Sequence, residues 1–377
     1  MAVTSLDAIP VSVPKATALR TGGSSDSTAG SDSFDHVLVR VETDGGVVGY
    51  GEVAPHPDWP NSGTQATVRS VIESEFAPLV EGRDPAHVAR ITEELDRTVA
   101  SQPFALAGVD AALYDALGKQ LGRPTYELLG GPTAADRSLP LHYTVGIKAP
   151  ETVHEEAAAA ADRGFSAFKL KVGADERDAD RRRLEAVREA CPGARIRVDA
   201  NGSWTAGEAV RAIRDLNAAA DGIVFVEQPV PPDDRAGLRR VRAAVEPSVM
   251  ADEGCYGPAD VAALAGADAV DAINVKPAKA GGITGARRVA AVAAAHGLPC
   301  YVGGMLELGV GAAAAAHFAL ATPARAYPTG LLNADADGSL LSDPDRWDPD
   351  GPTVAVPDDP GMGVSVDPDA IERYRTD

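Results

Sequence analysis

Apolar and polar residues alternate with the two-residue period of strands over 5–14 and again over 36–52. In the second stretch Val37-Leu38-Val39-Arg40-Val41 and Val47-Val48-Gly49-Tyr50 flank Asp44-Gly45-Gly46, a hairpin turn signal. Gly, Ser, Thr and Asp dominate residues 16–33. Such a stretch buries too little surface to order itself, so it reads as a mobile loop, either a surface insertion or a lid over a site. Helical periodicity follows over about 63–80, 84–100 and 103–122, and Gly122-Arg123-Pro124 stops the last helix. Residues 1–130 therefore read as an α+β unit.

From about residue 138 short β-rich runs alternate with amphipathic Ala/Arg/Glu-rich helices. The runs are 141–145, 167–172, 195–199, 223–227, 248–252, 272–276 and 299–303. Polar residues close them at Lys171, Asp199, Glu227, Asp252, Lys276 and about Gly303, in steps of 28, 28, 25, 24 and 27. A near-constant step is one βα unit, because a parallel strand returns through a crossover helix. The expected fold is α/β: a (β/α)7-8 TIM-like barrel over 131–332, with an α+β capping domain over 1–130. An open doubly wound sheet is the alternative, but no Gly-x-Gly-x-x-Gly follows the first strand. The tail, 333–377, is rich in Asp, Pro and Gly, carries a short strand-like run at 353–356, and is expected to return to the capping domain.

Charge excludes some partners. The 377 residues carry 35 Lys+Arg against 55 Asp+Glu, a formal charge of −20. Nucleic acid and anionic membranes both require neutralising cations, so neither is expected as a partner. The acidic excess suits a halophilic surface, or simply a soluble acidic protein. Only seven of the cationic residues are lysines. Cys191, Cys255 and Cys300 form no disulfide framework or zinc spacing, and no run of about 18 apolar residues or signal-peptide stretch occurs, so a cytoplasmic location is expected.

Three successive strands end in the carboxylates of Asp199, Glu227 and Asp252, and lysines end the strands on either side. Side chains at barrel strand ends converge near the axis, where three anions repel unless a cation joins them. Hard oxygen donors select Mg2+ or Mn2+. The plainer reading is a set of helix N-caps, which also favour Asp after a strand. Lys169 and Lys171 are two apart and share a face, so like charge and burial are expected to lower their pKa toward that of a general base. Lys276 would stand across the pocket from Lys171. A metal between two bases suits abstraction of the α-proton of a carboxylate to give an enediolate.

The Lys169-x-Lys171, Asp199-Ala-Asn201-Gly, Glu227-Gln-Pro, Asp252-Glu and Asn274-x-Lys276-Pro motifs, in this order, resemble the enolase superfamily. The lysine after the sixth strand is similar to the muconate-lactonizing subgroup, which includes cycloisomerases, dipeptide epimerases, N-succinylamino-acid racemases and o-succinylbenzoate synthases. The resemblance spans essentially the whole chain, including Gly303-Gly304-Met305-Leu306-Glu307. It implies that Asp199, Glu227 and Asp252 hold Mg2+, and that Lys171 and Lys276 are the acid/base pair. Lys169 would tune Lys171 and meet the substrate carboxylate, with Asn201 and Glu307 as further substrate contacts. It also implies a homo-oligomer.

The resemblance further gives the loops at 16–33 and 53–63, the latter with His56, Asp58 and Trp59, the choice of substrate. The Asp-x-Asp by which dipeptide epimerases grip an amino group has no match at Pro328-Thr329-Gly330-Leu331; Asp335 and Asp337 come about six residues later. His142, on the first barrel strand, either faces the pocket or packs in the core. The expected activity is racemisation, epimerisation or cycloisomerisation of a small carboxylate. A syn-dehydratase and a degenerate, non-enzymatic binding barrel are the alternatives.

Overall fold

The computed structural model describes residues 1–16, 21, 32–331, 335–344 and 351–377. The lid or insertion expected at 16–33 falls almost wholly outside the described residues. Three antiparallel strands, β1 (Val3–Pro14), β2 (Ser33–Thr43) and β3 (Val48–Val53), form the N-terminal sheet in that order. The helix Pro103–Leu121 lies against it. That approach requires glycine: a Cβ on Gly51 would stand 2.0 Å from the carbonyl oxygen of Gly108. Gly122, with φ +63°, ends the helix in the left-handed conformation, where the sequence places the stop.

The expected helix over 63–80 is broken. Thr64 caps Gln65–Val71, a π turn follows at Ile72–Phe76, and Ala77–Val80 resumes the α-helix. The second expected helix opens with a short 3-10 turn at Pro85–His87 before Val88–Thr98.

A short strand, β4 (Ser138–Pro140), precedes seven parallel strands. These are β5 (Tyr143–Val145), β6 (Ala167–Lys171), β7 (Arg195–Asp199), β8 (Phe225–Glu227), β9 (Ser248–Ala251), β10 (Ala272–Asn274) and β11 (Cys300–Tyr301), paired in chain order. Helices join successive strands, so the sequence's repeating step is a βα step. β9 and β10 end at Ala251 and Asn274, before the expected Asp252 and Lys276, because the chain turns out of the ladder there. The segment 325–330 bridges Cys300 and Gly303 beside one edge of the sheet, and Thr329 bridges Leu141 beside the other.

The tail contributes β12 (Thr353–Ala355), paired with β4. It then reaches the N-terminal unit: Met362 donates its N–H to Asp115, and Arg375 bridges Val11 on β1. The tail thus touches both β4 and the N-terminal strands.

Candidate active site

Strand register sets the site. Lys171 pairs with Asp199 across β6 and β7, and Asp199 with Glu227 across β7 and β8. The three groups therefore stand side by side at one end of the sheet. Asp252 and Lys276 follow just beyond β9 and β10. All three carboxylates are buried, as are Lys169 and Lys276, while Lys171 is half-buried.

The carboxylates and lysines interlock. Lys169 Nζ lies 3.2 Å from Asp199 Oδ2 and 3.1 Å from Glu227 Oε2. Lys171 Nζ donates to Asp199 Oδ2 at 2.7 Å and to Asn201 Oδ1 at 2.9 Å. Lys276 Nζ donates to Asp252 Oδ2 at 2.8 Å. Among the described residues, no three acidic, histidine or cysteine side chains are drawn to one point closely enough to hold an ion. The convergence expected from the strand ends is thus only adjacency. Each carboxylate turns an oxygen to a lysine.

That pairing reverses the expected pKa direction at Lys169. Burial alone would lower Lys169 and Lys276, but the Glu227 and Asp199 carboxylates hold Lys169 well above its ordinary value. Asp252, with Glu227 and Glu253, likewise outweighs burial at Lys276 and raises it. Burial, then repulsion from Asp199, raises Glu227. Asp252 sits well below the usual carboxylate range, since Lys276 and Lys279 overcome its burial.

The helix-cap reading fails here. The helices after β7, β8 and β9 are preceded at the cap by Thr205, Asp234 and Gly257. The buried carboxylates also leave oxygens without a hydrogen-bond partner, Asp252 Oδ1 and Glu253 Oε2. A buried, all-oxygen anionic set held by ammonium groups, with Glu253 Oε2 left unpartnered beside it, fits a hard divalent cation.

Two non-glycine residues beside the strand-end carboxylates adopt left-handed backbone: Asn201, φ +44°, and Gln228, φ +35°. Asn201 links Lys171 to Glu253, donating from Nδ2 to Glu253 Oε1 at 2.8 Å. The Gln228 amide oxygen accepts from the N–H groups of Asp252 at 2.9 Å and Gly254 at 3.1 Å, tying β8 to the turn after β9. Strain of this kind persists where surrounding contacts impose it. Gly303 lies so close to Lys276 that a Cβ there would stand 3.0 Å from the lysine Cε.

Glu307 is buried and accepts the N–H of Met305 at 2.7 Å. The N-terminal unit grips the same segment: Glu52 accepts from Leu308 N–H at 2.6 Å and Gly311 N–H at 2.8 Å. His56 Nε2 lies 2.9 Å from the Met305 carbonyl. From the same loop, Trp59 places its ring 4.4 Å from Lys276 Nζ. His142 is a core residue, fully buried beside Tyr301 and Arg197. Asp337 donates its N–H to Pro14 O, so it borders the end of β1.

Sequence reasoning passed over Glu253, Gln228 and Lys279. Burial pushes the Glu253 carboxyl up to about 8, with Asp252 and Asp199 adding to the rise. Their signals were adjacency to a strand-end carboxylate for the first two, and Lys276-x-x-Lys279 spacing for the third.

A cap of sheet and helices over a curled parallel βα sheet, with acids and lysines at the strand ends, defines an enolase-type enzyme architecture. Residues 14–130 match the mandelate racemase / muconate lactonizing enzyme N-terminal domain, and residues 152–370 match the enolase C-terminal domain-like family. The chain belongs to this family, on its muconate-lactonizing side. It is 35% identical over 366 residues to the L-Ala-D/L-Glu epimerase of Bacillus subtilis (strain 168), covering 96% of this chain and 95% of that one. It is 35% identical to muconate cycloisomerase 1 of Rhodococcus opacus, covering 90% of each. Its structure resembles that of the dipeptide epimerase from Enterococcus faecalis V583 complexed with Mg and the dipeptide L-Leu-L-Tyr. The TM-score is 0.86 and the identity 31%, over 97% of this chain and 100% of that one.

Proposed function

We propose that the protein is a divalent-cation-dependent isomerase that moves the α-proton of a small carboxylate, with Lys171 and Lys276 as the proton-transfer groups. The observation that carries this reading is the placement of the two lysines at opposite ends of one carboxylate row. Lys171 pairs with Asp199, Lys276 pairs with Asp252, and Glu227 stands between.

Asp199, Glu227 and Asp252 would hold Mg2+, with Mn2+ as the alternative hard cation. The bound cation would stabilise negative charge building on the substrate carboxylate as the proton leaves. Released from Asp252, Lys276 would lose the chief partner that now outweighs its burial, and burial then favours the neutral amine that a general base needs. Lys169 faces the substrate carboxylate; one of the other two lysines takes the proton and the other returns one. Asn201 keeps Lys171 oriented, and Trp59 and Glu307 line the side nearer the cap. Racemisation or epimerisation, and cycloisomerisation, both suit this pair. A syn-elimination is the alternative: it needs only one lysine as base, the other holding the enolate by a cation–π contact.

We read 131–332 as the barrel, with 325–330 as an eighth, irregular strand, 1–130 as the cap and 333–377 as its completion. Three unbridged cysteines support a reducing, cytoplasmic setting, and the family supports a homo-oligomer. The test is a screen of dipeptides, N-acylamino acids, muconates and sugar acids in D2O, with and without Mg2+, followed by NMR of the α-proton. Cation-dependent loss of that signal supports the reading. Retention of every α-proton in all the carboxylates, with no solvent deuterium gained beside the carboxylate of any product, contradicts it.

A further inference from the structure

Lys279 is a lysine buried to 1% exposure, and its ammonium group is committed to Asp252. Its Nζ donates to the Asp252 carbonyl oxygen and lies 2.8 Å from Oδ1. That second contact is an ion pair outside hydrogen-bond alignment, since Oδ1 keeps no hydrogen-bond partner. The local chain explains the reach. Pro277 starts the one-turn helix Pro277–Ala280 directly after Lys276, so the residue three further on returns to the same side. Lys276 and Lys279 thus take the two oxygens of one carboxylate, Oδ2 and Oδ1. Gln228 holds the N–H of the same residue at 2.9 Å. Backbone and side chain of Asp252 are therefore fixed on every polar atom.

Burying an ammonium group is expensive unless it is paired, and arginine or an apolar residue could fill the volume. In a chain with so few lysines, this one spends its ammonium on a single residue of the candidate cation site, Asp252, with the Tyr256 ring 5.7 Å away. We infer that Lys279 is a positioning residue: it fixes the rotamer and main chain of Asp252 so that this carboxylate meets the cation in register with Asp199 and Glu227. The inference rests on the reading of Asp252 as a cation ligand.

Orientation and plain electrostatics predict opposite signs here. Removing a positive charge beside a carboxylate should tighten cation binding if charge alone matters. Removing the group that orients a ligand should weaken it, by about 10–100-fold for partners of metal ligands. The experiment is Mn2+ titration by electron paramagnetic resonance of the full-length wild type, Lys279→Met and Lys279→Gln, with circular dichroism confirming the native fold. The expected result is Mn2+ binding at least about tenfold weaker in Lys279→Met. In turnover, kcat falls with KM little changed, a split that loss of packing would not produce. If Lys279→Met does not reach the native fold, Lys279→Gln carries the test with the same threshold. Unchanged or tighter Mn2+ binding in a folded variant overturns the inference while leaving the wild-type activity intact. A wild type that binds no Mn2+ instead overturns the reading of the site, and the inference with it.

Discussion

Lys276 Nζ sits 4.4 Å from the ring centroid of Trp59, so a side chain from the loop after the N-terminal sheet covers an ammonium group at the end of the parallel sheet. A desolvated cation–π contact is worth about 1–2 kcal/mol. Trp59→Ala should therefore lower kcat/KM by about five- to thirty-fold, with native circular dichroism and unchanged Mn2+ affinity. Trp59→Phe, which keeps a π-face, should recover most of the loss. Wild-type kinetics in Trp59→Ala would remove the loop from the site.

Lysine and arginine should separate stability from chemistry at position 276. Lys276→Ala leaves Asp252 buried with only Lys279 beside it, and breaking a buried pair costs about 3–5 kcal/mol. Lys276→Arg restores the charge but not a group that releases a proton. Both variants should lose about 100- to 10,000-fold in turnover, while only Lys276→Ala melts markedly lower without added Mg2+. An active Lys276→Arg enzyme would refute the role of this residue in proton transfer.

Asp110 supplies a pH dependence away from the site. Burial pushes its carboxyl up to about 7, and Thr284 N–H, at 3.2 Å, only partly offsets this. The folded state therefore binds more protons than the unfolded chain between about pH 4 and pH 7, so this group's stabilisation is present below pH 4 and lost as pH rises to 7. Asp110→Asn keeps the acceptor and cannot ionise. Its stability relative to wild type should rise from pH 4 to pH 7, by about 2–4 kcal/mol, and stay level above. Denaturant melts across that range check this; a pH-independent difference would contradict it.

The net charge of −20 predicts a response to salt. Raising KCl from 0.1 M to 2 M shortens the screening length from about 10 Å to below about 3 Å. Self-repulsion falls, and Tm should rise by several degrees. A flat or falling Tm would mark the acidic surface as ordinary.

The strand-end carboxylates and lysines were legible because the βα step repeats and each motif directly follows an apolar run. What those groups do to one another was not. Two lysines on one face suggested mutual repulsion, yet register puts Asp199 and Glu227 beside them, and the ion pairs win. Lys279 was visible as a letter but not as a partner, because its reach depends on the single turn begun by Pro277. The π turn at Ile72–Phe76 leaves no compositional mark, and the pairing of β12 with β4 joins residues too distant for periodicity to connect.

The central claim is that two lysines work from opposite ends of the carboxylate row. Its most direct test is solvent-deuterium exchange at the α-carbon of both enantiomers of a turned-over substrate, in wild type, Lys171→Ala and Lys276→Ala. Wild type should exchange both enantiomers. Each variant should lose net turnover yet keep exchange of one enantiomer, and the enantiomer kept should differ between the two. Loss of the same enantiomer's exchange in both variants, or exchange of both in either one, would contradict the account.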